Sequence, residues 1–199
     1  MEFTLKRNVL IVSCLLFTLV VTQAVFTVLF NAGIAGPRPF LWGLETVLFS
    51  LLAAFAGAAL VQARSFQLGW SAIAFGAILN VVQVSIGLKL FGPFGAAAQQ
   101  ADTMGPLIGA IVAFSFLIYN AAKILLGLAA LVFGMAKMNA GSKALGGLTA
   151  AIGAFAMAAN VMLVIFGRDG FLPAPIAGAS GVLATVLLAV CLITMVNDE

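Results

Sequence analysis

The chain has 199 residues, 64% of them hydrophobic and 8% charged, with a net charge of +3. Soluble domains carry about a quarter charged residues, and a fold of this size could not bury so much apolar surface in water. The composition therefore excludes a soluble globular protein and predicts an integral membrane protein. Its few positive charges fall at helix ends, where they set topology rather than form a nucleic-acid patch.

A helix needs about 20 apolar residues to cross the hydrocarbon core. The first predicted span covers about 8–30. Its start, "KRNVLIVSCLLFTLVVTQA", resembles a signal peptide, but the apolar run continues through "VFTVLF" and reads as an uncleaved first helix. Further spans are predicted at about 41–63, 69–91, 107–133, 144–166 and 175–196. The breaks between them, "NAGIAGPRPF", "RSFQ", "GPFGAAAQQADTMGP", "AKMNAGSK" and "GRDGFLPAP", carry turn residues and are too short for a soluble domain. The expected fold class is all-α: one polytopic domain, a six-transmembrane-helix bundle with short loops.

Lys and Arg placement predicts both termini on the cytoplasmic side. That side would hold Lys6, Arg7, Arg64, Lys137 and Lys143, and the other Arg38, Arg168 and, at a helix end, Lys89. The expected location is a plasma membrane of the bacterial inner-membrane type. Phe40, Phe94 and Phe171 would anchor the outer loops. "NVVQV" at 80 and "NVMLV" at 160 are the one hint of internal repetition, and such short matches arise by chance in glycine-rich apolar sequence.

Small residues mark helix contact faces in membranes. At 3.6 residues per turn, Gly69, Gly76, Asn80, Gln83 and Gly87 share one face of the third span. In the fourth, Gly109, Ala113, Asn120, Lys123, Gly127, Ala130 and Gly134 do so. Gly146, Gly153, Asn160 and Gly167 line the fifth, Gly43, Thr46, Ser50, Ala53 and Gly57 the second, and Gly178, Gly181 and Thr185 the sixth. Gln23 and Thr27 are expected to face inward from the first. Amides on such stripes are either interhelical glue, worth around 0.6 kcal/mol each, or the lining of a polar site.

Glu45 and Lys89, near the outer ends of consecutive spans, are expected to form an ion pair. Lys123 falls near mid-membrane on an inward face, about 18 Å in depth from Glu45 by residue count. A central lysine costs about 2.5–3.5 kcal/mol to insert. With no carboxylate expected at its level, it predicts a polar pocket. The candidate ligand-binding residues are Asn80, Gln83, Tyr119, Asn120, Lys123 and Asn160, suited to a small polar or anionic solute.

The chain has no histidine, which removes the usual haem and zinc ligands and the commonest general base. Cys14 and Cys191 lie in apolar runs and read as buried hydrophobes rather than a disulfide. No catalytic constellation, metal site or cofactor fingerprint is legible, so a non-enzymatic role is expected. Two readings remain. One is a protein that binds or transports a small polar or anionic solute, as a homo-oligomer given its size. The other is a non-catalytic structural or assembly subunit of a larger membrane complex, in which a partner's carboxylate would satisfy Lys123.

Overall fold

A computed structural model describes residues 4–167 and 173–197, and they are all-helical. The helices are α1 (Leu5–Asn31), α2 (Arg38–Gln62), α3 (Gln67–Ile86), α4 (Gly92–Gln100), α5 (Gly105–Asn139), α6 (Lys143–Phe166) and α7 (Ala174–Asn197). A π-helical turn, Gly87–Phe91, joins α3 to α4 without a break, so that six helices are long and apolar enough to cross a bilayer. They define an integral membrane protein.

Local sequence explains the boundaries. Thr4 caps α1, its hydroxyl oxygen accepting from the Arg7 N–H at 3.4 Å. Prolines stand in the first turns of α2 and α5, where their missing N–H has no intrahelical partner to lose, while Pro93 directly follows the π-helical turn that interrupts the regular hydrogen-bond pattern. Gly141, at φ 103°, turns the chain sharply between α5 and α6.

The structure corrects two expected breaks. Residues 92–100, expected as loop, continue the third span as α4: "AAAQQ" consists of good helix formers, and Pro93 falls where a helix tolerates it. Lys137, expected in an inner loop, is instead a buried residue of α5, which reaches Asn139. Phe40 is exposed, Phe94 is half-buried, and Arg168 and Phe171 lie outside the described residues.

Five helices form a ring in the order α1, α2, α3, α5, α7, with α7 packing back on α1; α6 lies outside it against α5 and α7. The tightest packing is between α5 and α6. A Cβ on Gly127 would stand 2.8 Å from the Gly153 carbonyl oxygen, and one on Gly134 or Gly146 would collide with the facing backbone at Ala150 or Met138. These glycines are where two helix backbones meet.

Gly146 and Gly153 of the fifth-span stripe thus face α5, Asn160 reaches α7, and the inner half of the fourth stripe faces α6, whereas Gly167, Gly109 and Ala113 are exposed. The second-span stripe lies at the edge of the packed face: Ser50 is exposed, the others are half-buried, and Ala53 packs against the core. Gly43 and Gly57 have nothing within 4 Å, and the buried face of α2 is Leu41, Glu45, Phe49, Leu52, Ala56 and Ala59. Large apolar residues on α2 fill the ring better than its glycines would.

The ring interior divides into two layers. Towards the Leu5 end, Leu16, Phe49, Leu52, Ile73, Leu126, Phe133, Leu188 and Leu192 form a dry core. In the other half every helix of the ring contributes buried or half-buried polar groups: Thr22 and Gln23, Glu45, Asn80 and Gln83, Ser115 to Lys123, and Ser180 and Thr185.

Candidate functional site

The polar layer is organised by Lys123. Its side chain is fully buried, and its Nζ donates to Gln23 Oε1 at 3.0 Å. This bond crosses the ring from α5 to α1. Nζ also lies 5.1 Å from the ring centroid of Tyr119, one turn earlier on the same helix, in cation–π range. Its aliphatic stem passes Gly181 of α7, where a Cβ would come within 2.9 Å of Lys123 Cδ. Gly181 is therefore a slot for the lysine.

Glu45 completes the cluster from α2. It is buried, and its Oε1 accepts a 2.8 Å hydrogen bond from Thr22 Oγ1. Thr22, which holds Glu45, is next to Gln23, which holds Lys123, so the two ionisable side chains reach adjacent positions of α1. Lys123 thus has a buried carboxyl group near its own level, contrary to the depth estimate from sequence. That estimate took Glu45 and Lys123 to be separated by their distances from predicted helix ends. However, α5 has 35 residues against 25 in α2, so the two helices share no common end level. The lysine stem, which leans towards the N-terminus of its helix, covers part of the remaining distance.

The other expected residues are distributed as follows. Lys89 is exposed on the π-helical turn while Glu45 faces the ring interior, so the expected outer Glu45–Lys89 pair does not form. Gln83 Nε2 donates to Ser115 Oγ at 3.3 Å, joining α3 to α5. Asn120 is buried one turn before Lys123. Asn80 donates to the Gly76 carbonyl of its own helix, and Asn160 to that of Ala156 at 2.8 Å, with a longer bond to Ala177. Both leave a buried Oδ1 without a partner. Asn160 belongs to the α6–α7 contact, outside the ring, and does not join the Lys123 cluster. Thr27 is exposed and bonds to its own backbone.

Thr22, Gln23, Ser115 and Gly181 were not among the expected site residues. The signal for the first two was present: "TQ" is the only amide-bearing step in the apolar run 9–30. Gly181 could not be recognised, because a glycine that receives a lysine stem looks like any other packing glycine.

The free valences decide what the site can do. Lys123 uses one of three N–H donors on Gln23, and Glu45 accepts from Thr22 on one oxygen. The remaining donors and the second carboxylate oxygen can engage a guest that carries both an acceptor and a donor. Among the described residues, no three His, Cys, Asp or Glu side chains gather to hold a metal ion.

On the side away from the dry core, an aromatic group covers the cluster. Trp42, one turn before Glu45, stands 5.7 Å from both Phe26 and Phe91 by ring centroids. Phe26 stacks in turn on Phe30, and Arg38 lies over the Phe30 ring.

Comparison with protein families, with curated proteins and with solved structures finds no match for this chain.

Proposed function

We propose that this protein binds a small polar solute within the membrane, at Glu45, Lys123, Gln23 and Tyr119, and carries it across. The observation that supports this reading is a buried lysine and a buried carboxyl group held at adjacent positions of α1, with hydrogen-bonding capacity left on each. Ionisable side chains inside a bilayer are expensive and are kept for substrate, ion or proton paths. With a basic and an acidic group both present, the site suits a polar solute that carries an acceptor for Lys123 and a donor for Glu45. The apolar layer on one side and the aromatic group on the other are what a carrier needs to close the site from each face in turn. The Lys and Arg distribution favours both termini in the cytoplasm of a cell with a plasma membrane of the bacterial inner type.

A second reading, as a non-catalytic subunit of a larger complex, draws on the open face of α2. Gly43 and Gly57 there have no neighbour, a surface suited to a helix of another protein.

The test is purification in mild detergent, followed by mass spectrometry of everything that co-elutes and uptake of the identified molecule into proteoliposomes. The proposal expects a small polar molecule, bound and taken up. Stoichiometric partner proteins without a small molecule would favour the second reading.

A further inference from the structure

A separate cavity of about 100 Å³ opens at the other end of the bundle, beyond the dry core. The first turn of α1, the α2–α3 connection and the far ends of α5 and α7 enclose it. Two cations line it, Lys6 and Arg64. Its floor is aromatic: Trp70 is buried and packs edge-on against Phe133, with ring centroids 5.0 Å apart. Leu192 and Met195 supply an apolar wall.

The backbone here is unusual. Phe66, at φ 60°, holds the left-handed conformation that a side chain disfavours. It does so immediately before α3, whose start no side chain caps. Phe66 lines the cavity with Arg64 and Ser65, so the positive end of the dipole of this 20-residue helix lies beside the two cations.

Cations at span ends can be topology signals alone. Here they also line a cavity, beside the positive end of α3 and above an aromatic floor, at the level where the spans leave the hydrocarbon. Basic pockets between membrane helices at that level suit anionic lipid headgroups. We propose that this cavity binds the phosphate of an anionic lipid. Lys6 and Arg64 take the headgroup oxygens, and Leu192 and Met195 face the upper acyl chain. The cavity is too small for a whole lipid, so the chains lie along the bundle surface. This site is independent of the Glu45–Lys123 cluster and of its proposed role.

The two tryptophans, Trp42 and Trp70, allow a direct test. In a full-length Trp42→Phe protein in detergent micelles, Trp70 is the sole indole. Micelles also remove any effect of the substitutions on membrane orientation. Titration with brominated phosphatidylglycerol should quench it at lower lipid fraction than brominated phosphatidylcholine. Each basic residue near an anionic lipid surface contributes about fivefold, so Lys6→Gln with Arg64→Gln should weaken the phosphatidylglycerol preference about 25-fold. Lys143→Gln, a cation absent from the cavity lining, should leave it unchanged. Equal quenching by the two lipids, or equal loss in Lys143→Gln, would overturn the proposal. Displacement of the lipid by inorganic phosphate at about its own concentration would assign the site to free phosphate instead and overturn the lipid. Unfolding curves of both variants matching the parent would show that the loss is not one of folding.

Discussion

Lys123 and Glu45 are each costly to bury alone, and the structure holds both in one layer of the ring, on the adjacent Gln23 and Thr22. Removing one partner of a buried charge pair leaves the other uncompensated, whereas replacing both with apolar or neutral groups is often harmless. Lys123→Met should therefore destabilise the protein in detergent unfolding, because Glu45 stays buried with Thr22 as its hydrogen-bond partner. Adding Glu45→Gln should recover much of the loss, with a coupling of about 1–3 kcal/mol. Additive losses would show that the two do not interact. Sequence alone indicated that Lys123 faces inward, from its spacing to Asn120 and Gly127. It could not supply the partner, because depth counted from helix ends fails when the helices differ in length.

At the scale of elements, the glycine stripes serve two different purposes. Those of α5 and α6 are spaced by seven and meet backbone to backbone, as their period predicts. Those of α2 are spaced by fourteen, are half-buried, and leave room for a Cβ. The sequence pattern is the same in kind, and only the identity of the opposing surface distinguishes them. Gly134→Leu or Gly146→Leu should lower the thermal midpoint sharply, since the side chain would enter the neighbouring backbone, where overpacking costs about 1–3 kcal/mol or more. Gly43→Leu should be nearly neutral in the isolated protein. Equal losses in both sets would show the contact faces to be misassigned. The third span shows a similar limit: "GPFG" reads as a break, but proline and glycine at a first turn permit the π-helical turn and α4 to continue it.

For the whole molecule, six spans were legible from apolar run length, and their boundaries differ from those observed mainly where helices extend beyond the bilayer core. At 1.5 Å per residue α5 is about 52 Å long, well above the ~30 Å of hydrocarbon. It must tilt or project, which a count of apolar residues does not reveal. The layered interior was less legible, since it arises only when five helices align their polar positions. The proposed orientation predicts that cysteine at Arg38 reacts with an impermeant reagent added to intact cells and that cysteine at Arg64 or Lys143 does not. The reverse pattern would invert the topology and place the Lys6–Arg64 cavity at the outer face.

The proposed solute site depends most on the Glu45–Lys123 cluster, and one comparison addresses it directly. Parent protein and the Lys123→Met, Glu45→Gln double variant are purified side by side in mild detergent, and the small molecules each retains are measured by mass spectrometry. The double substitution removes both charges together, so the variant should fold to a yield similar to the parent. The account predicts that the parent carries a small polar molecule and that the variant has lost it. A well-folded variant that keeps every bound species, or a parent that carries none, would contradict a solute site at these residues.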